Sequence, residues 1–353
     1  MTIIFFTRRF YPSIGGVEKH ILEISKILIK EKFEIRIVTE NINNKLKTYE
    51  EFEGIKIYRM PFFKENKLKK IKIWFWFFKN VHLIKNANIL HVHDVFYWYL
   101  PFRFLFLRKK VFITFHGYET IFPPRKGAIL IRRISKFLSN GSINIGSYID
   151  KWYKTPANFT FYGGVNKDDL KDLYSRFRGN DMGSGNDNNW NKKVWNIVFV
   201  GRIEKDNGIK IYADILKELK SKKVKFNFTA VGDGILSNDF KKYGKVVGFQ
   251  KNINIFLKNA DLVFSSSYLS MLEAFSFKKN VISVWENDLK KDYLYLTPFK
   301  DFIISGDEGK EIVNKLVSLS DKERENMING AFDFAKKNTW EDVVKIYRKL
   351  WNL

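Results

Sequence analysis

The chain has 353 residues, enough for two domains, and its apolar fraction of 45% can fill a sizeable core. It contains no cysteine, which excludes a disulfide scaffold, a cysteine nucleophile and thiolate metal sites and indicates a cytoplasmic protein. The formal net charge of +24 favours polyanionic partners, which are phosphates, anionic lipid or nucleic acid. Residues 1–170 carry 30 basic and 14 acidic side chains, a net of +16 (30 − 14), so most of the excess lies in the first half.

Short apolar segments alternate with amphipathic segments in two successive series along the chain. The first series begins with a strand over 2–7 and a helix over 17–30, whose apolar residues recur at helical spacing. Such alternation is typical of βαβ units with a parallel sheet, and it starts again after residue 194. Further strands are predicted over 33–39, 55–60, 89–93, 111–116, 142–146, 159–162, 195–200, 224–231, 244–247, 261–265 and 280–284, and closing helices over about 308–318, 321–337 and 339–352.

One segment interrupts this pattern. Residues 176–193 are polar and glycine-rich and contain Gly-Asn-Asp twice, which predicts a linker or a surface insertion. The sequence therefore predicts two Rossmann-like doubly wound α/β domains, 1–175 and 194–337, facing a central cleft. Ligands of such sheets bind beyond the carboxyl ends of the strands, so the loops after strands are the places to look for chemistry.

Two kinds of loop stand out in the first domain. Gly15-Gly16 joins a strand to a helix, where paired glycines let a ligand approach the backbone and a helix N-terminus favours phosphate; an ordinary turn is the alternative. His93 ends one predicted strand and His116 ends the next, with Tyr118 two residues after His116. A metal site would need a third ligand at suitable spacing, which we do not find. A histidine so placed either donates to a sugar hydroxyl or phosphate, or stabilises its own loop. His20, within a helical pattern, is predicted to be structural.

In the second domain, glycines and polar residues again follow the predicted strands. Arg202 precedes a helix and suits a bidentate phosphate contact. Ser265, Ser266 and Ser267 offer helix caps and hydroxyl donors, and Glu273 could accept hydrogen bonds from two ribose hydroxyls.

Taken in order, these motifs resemble the family 4 glycosyltransferases, retaining enzymes of the GT-B fold. The resemblance implies a nucleotide-diphosphate sugar held mainly by the second domain and an acceptor held by the first. It also implies hexose transfer with retention at the anomeric carbon, no metal or other cofactor, and a closing helix, about 338–353, that returns to the first domain. The matching motifs are Gly15-Gly16, His116-Gly117, Gly163-Gly164-Val165-Asn166, Gly201-Arg202, Gly232-Asp233-Gly234, Gly248-Phe249 and Leu272-Glu273-Ala274.

The resemblance also assigns roles to individual residues. His116, against the donor sugar, and Arg202, on the diphosphate, are the catalytic candidates. Gly15, His93 and Tyr118 are the acceptor-side candidates. The donor-binding candidates are Gly16, Arg202, Lys205, Gly232, Gly234, Phe249, Ser267, Tyr268 and Glu273.

The sequence departs from the family pattern at two positions. Asn207 stands where the family usually carries lysine, so Lys205 replaces it or one phosphate contact is lost. Ser265 stands where the family carries a glutamate that contacts the donor sugar. Either Tyr268 and the serines substitute for that carboxylate, or the segment is shortened, or catalysis is impaired. The second function hypothesis is therefore a catalytically weak GT-B protein that binds a sugar nucleotide or glycan. No nucleic-acid recognition motif is present, so nucleic acid is not expected as a partner.

No stretch of about 20 apolar residues that would span a bilayer is found. Residues 62–86, however, hold seven lysines and one glutamate around Trp74–Phe78, as in segments that lie at a membrane interface. The prediction is peripheral attachment to an anionic membrane, on the inner face of the cell membrane, with a lipid-linked acceptor or a growing cell-surface polysaccharide. The alternative is that the aromatic residues pack on the sheet. The basic residues that would extend this surface are Arg103, Arg108-Lys109-Lys110, Arg125-Lys126 and Arg132-Arg133.

Overall fold

A computed structural model describes residues 1–13, 15–42, 44–117, 121–170 and 194–353 of the protein. They divide into two compact units, Met1–Tyr162 with Trp340–Leu353, and Gly163–Thr339. This division falls before Gly163, whereas the sequence boundary was predicted at residue 175. The predicted linker, 176–193, lies outside the described residues.

The first unit is built on a sheet whose central strands are buried on both faces. Ile3, Ile4, Phe5 and Phe6 are each fully buried, which explains why this strand is an uninterrupted apolar run. The strands are β1 (Thr2–Phe6), β2 (Glu34–Glu40), β3 (Tyr49–Phe52), β4 (Ile55–Met60), β5 (Ile89–His93), β6 (Lys110–Phe115), β7 (Gly141–Ile145) and β8 (Phe159–Phe161). Their order in the described residues is β3-β4-β2-β1-β5-β6-β7-β8, and all neighbours are parallel except β3 and β4.

Helices cover this sheet, and the last helix of the chain belongs to the same unit. They are α1 (Gly16–Lys30), α2 (Lys69–Lys79), α3 (Val81–Lys85), α4 (Leu100–Leu105), α5 (Lys126–Leu138), α6 (Tyr148–Tyr153) and the closing helix (Trp340–Trp351). In the described parts of both units, no helix combines the length and apolar character needed to cross a bilayer.

The second unit has its own parallel sheet, in the order β11-β10-β9-β12-β13-β14 within the described residues. Its strands are β9 (Trp195–Val200), β10 (Phe226–Val231), β11 (Lys245–Val246), β12 (Leu262–Phe264), β13 (Asn280–Val284) and β14 (Ile304–Gly306). Its helices are α7 (Ile209–Ser221), α8 (Ser237–Lys241), α9 (Asn254–Asn259), α10 (Tyr268–Ser276), α11 (Asp288–Tyr295), α12 (Gly309–Ser318) and α13 (Asp321–Lys336). The core lies between the sheet and these helices, around Phe199, Tyr212 and Phe264.

The α/β architecture with two doubly wound units is confirmed, and most predicted strands lie within two residues of their predicted bounds. Two strands were not predicted. β3 contains Glu50 and Glu51 and pairs antiparallel with β4 at the edge of the sheet, where acidic side chains are tolerated. β14 has only three residues and is too short to show a periodic pattern.

Candidate functional site

The carboxyl ends of β5 and β6 bring two of the predicted site residues together in the first unit. His93 ends β5, His116 follows β6, and the ring atoms His93 Nδ1 and His116 Nε2 are 2.7 Å apart. Asp94, at a φ of 61°, turns its carboxylate back to accept hydrogen bonds from the His116 backbone N–H at 3.2 and 3.3 Å. Arg132 on α5 donates to the carbonyl oxygen of Gly117 and lies 3.8 Å from Asp94. These hydrogen bonds connect the loop after β6 to the residue after β5 and to helix α5.

A chain of hydrogen bonds runs behind this pair. Trp351 Nε1 can only donate, so His91 Nδ1 accepts at 3.0 Å and the proton of His91 is on Nε2. His91 Nε2 then donates to Thr114 Oγ1 at 2.7 Å. If every hydroxyl proton is used, the Thr114 hydroxyl donates to the Tyr347 hydroxyl at 2.9 Å. The Tyr347 hydroxyl then donates to His20 Nε2 at 2.9 Å. The closing helix therefore sets the tautomers of two buried histidines.

Burial controls the charge of this histidine cluster, which comprises His20, His91, His93 and His116. Desolvation lowers the pKa of His20 to about 3 and holds the pKa values of the other three well below the ordinary range. The four rings are therefore neutral at physiological pH. Among the described residues, no group of three or more His, Asp or Glu side chains is placed to hold a metal ion.

A cavity of about 290 Å³ lies at the same edge of the first sheet. Gly15 caps the start of α1, and the Glu18 carboxylate lies over it, so close that a Cβ on Gly15 would be 2.6 Å from Glu18 Oε2. Burial raises the pKa of this carboxyl group. Gly16 has open space where a side chain would be. The cavity is lined by Thr7, Arg8, Arg9, Val17, Glu18, His93, Asp94, Val95 and Tyr97; the third acceptor-side candidate, Tyr118, lies outside the described residues.

In the second unit, Arg202 lies on the loop after β9. Its side chain is 65% exposed and its Nη2 is 2.8 Å from Asp206 Oδ2, so the charge is accessible to a ligand. Lys205 begins the short turn Lys205–Asn207 and is exposed. The amide of Asn207 donates to the Arg202 carbonyl oxygen at 2.7 Å. Asn207 thus stabilises the turn through an amide.

The glycines of the neighbouring loop are required by backbone packing. A Cβ on Gly232 would be 1.8 Å from the carbonyl oxygen of Gly201, and one on Gly234 would be 2.2 Å from that of Ile203. The Phe249 backbone N–H donates to Asp233 Oδ2 at 2.7 Å, and Phe249 is 52% exposed. These contacts place Arg202, the two glycines and Phe249 along one edge of the sheet.

The serine segment before α10 joins the same edge. Ser266 Oγ donates to the Asn207 carbonyl oxygen at 2.8 Å, which fastens the segment to the turn beside Arg202. Ser265, where the resemblance expects a glutamate, is buried and donates to Ser267 O at 3.3 Å. The Ser267 hydroxyl is 2.8 Å from that of Ser270.

Two further donor-side candidates lie on α10. Tyr268 is buried, stacks on Tyr293 at 3.8 Å between ring centroids, and donates its hydroxyl proton to the Tyr293 carbonyl oxygen. Glu273 is partly exposed on the next turn.

Sequence reasoning missed two charged or polar residues at these edges. His20 belongs to the histidine cluster, and its place on the buried face of α1 was the available signal. Lys290 on α11 lies near Asp206, Arg202 and Glu286; burial and Arg202 lower its pKa to about 8, and Asp206 acts against them. No local pattern in the sequence distinguishes Lys290 from its neighbour Lys291.

Comparisons with known proteins agree with this architecture. Residues 14–145 match the model of Glycosyltransferase Family 4. An uncharacterized glycosyltransferase of Methanocaldococcus jannaschii is 27% identical, over 99% of this chain and 97% of its own length. The phosphatidylinositol N-acetylglucosaminyltransferase GPI3 subunit of Saccharomyces cerevisiae is 31% identical over 87 residues, 24% of this chain and 19% of its own length. HepE of Anabaena, solved in complex with UDP and glucose, has a TM-score of 0.67 at 13% identity and full coverage of both chains. The chain therefore has the GT-B fold and resembles glycosyltransferases, and its residues 14–145 match family 4.

Proposed function

We propose that the protein transfers a sugar from a nucleotide-diphosphate sugar to a glycan or lipid-linked acceptor, with retention of anomeric configuration and without a metal ion. The observation that carries the donor assignment is the exposed Arg202 side chain on the loop that leads to α7, with Lys205 exposed on the same loop and Lys290 near Arg202. Cationic side chains and a helix N-terminus are suited to the charge of a diphosphate leaving group. HepE, of the same fold, is described in complex with UDP and glucose, which supports a nucleotide sugar as ligand.

Turnover in the presence of EDTA tests the proposal. Purified protein is screened against UDP-, GDP- and ADP-sugars, and any donor that stabilises it is assayed for release of the nucleoside diphosphate. We expect release to continue after dialysis against EDTA, because Arg202 and its neighbours supply the positive charge that a metal would otherwise supply. Activity lost with EDTA and restored by Mg²⁺ or Mn²⁺ would contradict metal independence, and an inverted product would contradict retention.

Arg202→Ala and Glu273→Ala test the donor site residue by residue. A lost charged hydrogen bond costs about 1.5–3 kcal/mol, so each variant should bind the donor roughly 10- to 150-fold more weakly. Both side chains are at least partly exposed, so the melting temperature should stay unchanged. Lys217→Ala, exposed on α7, is the control and should bind like the wild type. Equal donor affinity in all four proteins would remove the second unit from the donor site.

A second candidate function is suggested by Ser265. The side chain is buried and hydrogen-bonded within its own loop, and it supplies no carboxylate at the position where the family contacts the donor sugar. A protein that binds a sugar nucleotide or glycan but transfers slowly would follow. Donor binding without release of nucleoside diphosphate in the presence of candidate acceptors would favour this alternative.

On the acceptor side, the cavity beside α1 offers both charge signs. Arg8 and Arg9 are donors, whereas Glu18 and Asp94 are acceptors, and this mixture suits the hydroxyl groups of a carbohydrate. The name of the GPI3 subunit gives phosphatidylinositol as its acceptor, which supports a lipid-linked acceptor for this chain. We propose that Gly15, His93 and Tyr118 belong to this side of the reaction.

We further propose peripheral attachment to the inner, anionic face of the cell membrane through α2 and the residues before it. Phe75 and Phe78 are 59% and 49% exposed. Trp74 donates to the carbonyl oxygen of Tyr97 and Phe77 is buried, so part of the aromatic run packs on the unit as the alternative interpretation predicts. Lys69, moreover, is buried, with its Nζ 2.7 Å from the Glu40 carboxylate and 2.8 Å from that of Glu65. It therefore does not belong to the proposed membrane-binding surface.

The triple variant Lys67→Glu, Lys70→Glu, Lys72→Glu tests this attachment. All three lysines are exposed, and each basic residue near an anionic bilayer contributes about 1 kcal/mol, so the variant should lose flotation with anionic liposomes at low salt. Lys217→Glu, Lys220→Glu, Lys222→Glu in the second unit makes the same change in net charge and should float like the wild type. Wild-type protein that stays at the bottom of the gradient would rule the attachment out.

A further inference from the structure

Helix α5 presents its apolar residues outward. Leu130, Ile131, Ile134 and Phe137 are 57%, 49%, 41% and 86% exposed, and their spacing places them on one face of the helix. Such a stripe along a single helix is unlike the scattered apolar residues of an ordinary surface.

The two buried residues of the same helix are polar. Arg132 is buried, and its guanidinium lies 4.3 Å from the ring centroid of Tyr153 and 5.2 Å from that of Phe115. Ser135 is also buried and donates to the Ile131 carbonyl oxygen. The buried contacts of Arg132 fix the rotation of the helix. The prediction that Arg132 extends a basic surface is therefore wrong, and the outward direction of the apolar stripe follows from the same contacts.

The basic residues beside the apolar stripe of α5 indicate which partner covers it. Lys126, Arg133 and Lys136 follow one another at helical spacing along one border of the apolar residues. Residues 121–149 contain no acidic side chain. A second copy of this chain would bring these cations against each other, and the net charge of +24 adds to that repulsion. An anionic bilayer accepts apolar side chains at the headgroup boundary and basic side chains at its phosphates.

We infer that the outward face of α5 docks on an anionic lipid bilayer. The inference rests on the proposed membrane attachment and adds a second contact surface to it. Ile121 and Phe122, which are 37% and 41% exposed, extend the apolar surface towards the loop after β6. Arg132 joins α5 to Gly117 and Asp94, which hold His116. Docking through α5 therefore puts the acceptor-side residues next to the bilayer and makes a lipid-linked sugar acceptor the substrate class that reaches them.

The absence of cysteine gives a direct experiment. Ile134→Cys is labelled with an environment-sensitive fluorophore and mixed with vesicles of phosphatidylcholine containing an equal part of phosphatidylglycerol, or with phosphatidylcholine alone. We expect a blue shift with the anionic vesicles only. Ile235→Cys, at an apolar position of the second unit that is 79% exposed, should show no shift. Phe75→Cys, labelled in the same way, tests the proposed attachment through α2 independently of α5.

A second variant removes the contact without a label. Phe137→Glu replaces a side chain that is 86% exposed, so the fold should be retained while vesicle binding falls about tenfold or more. Ile235→Glu is the matched control. Flotation of the protein with an unshifted label at position 134 would overturn the α5 surface and leave the attachment through α2 standing. Failure of the wild type to float would overturn both, and would point to a protein partner for α5.

Discussion

Replacing Trp351 with alanine is expected to lower the free energy of unfolding of the first unit by about 3–5 kcal/mol, the usual cost of removing a buried tryptophan. Trp351 is fully buried at the end of the closing helix, with Phe5 and Tyr347 beside it at 6.2 and 5.4 Å between ring centroids. The same variant leaves His91 Nδ1 without its donor in a buried site. Since domains are stable by only about 5–15 kcal/mol, the loss is a large part of the total.

Urea unfolding followed by circular dichroism measures this effect, and two variants separate its causes. Trp351→Phe keeps most of the ring packing and removes only the donor to His91, so it should cost about 1–3 kcal/mol. Leu353→Ala changes a residue that is 43% exposed two positions later and should leave the transition in place. A Trp351→Ala protein as stable as the Leu353→Ala protein would show that the closing helix does not hold the first unit together.

The strands that sequence reasoning located well are those buried on both faces. β5 and β13 were predicted at their observed bounds, Ile89–His93 and Asn280–Val284, because strands buried along their whole length are rich in Ile, Leu and Val. The strand β3 was missed because Glu50 and Glu51 give it no apolar run, and only its pairing with β4 makes it a strand.

The position of the loops after the strands could also be predicted from the sequence. Parallel strands end at one edge of a sheet, so His93 and His116 could be expected near each other before the 2.7 Å contact between their rings was known. What sequence reasoning could not supply is the support behind them. The hydrogen bond between His20 and Tyr347 joins residues 327 positions apart, and such a pair leaves no spacing to recognise.

The buried histidines of the first unit lead to the second large expected effect, which is a steep loss of stability in mild acid. Histidines in an unfolded chain have pKa values of about 6.5. In the folded first unit, burial lowers the pKa of His20 to about 3 and holds those of His91, His93 and His116 well below 6.5. Between these limits the unfolded chain binds more protons than the folded chain, so stability falls as the pH decreases through 6.5.

The size of the effect follows from the number of rings. One unit below its unfolded pKa, each histidine that stays neutral when folded lowers the free energy of unfolding by about 1.4 kcal/mol, so the four together can approach about 5 kcal/mol at pH 5.5. Acidic groups with lowered pKa values affect stability in a lower pH range. Ion pairing with Lys56 and Arg36 lowers the pKa of Glu34 to about 2, so its contribution is lost only as the pH falls below about 4.5.

Urea unfolding at pH 7.5, 6.5 and 5.5 measures the slope, and variants assign it. His91→Gln removes one buried ring that titrates only in the unfolded chain, so stability should fall less steeply with pH, by about a quarter, although the variant is less stable at pH 7.5. His82→Gln alters an exposed histidine on α3 and should leave the slope as it is in the wild type. Equal stability of the wild type at pH 7.5 and 5.5 would mean that the buried histidines take up protons in the folded protein. The hydrogen-bond chain from Trp351 to His20, in which each ring has one donor and one acceptor nitrogen, would then have to be rearranged.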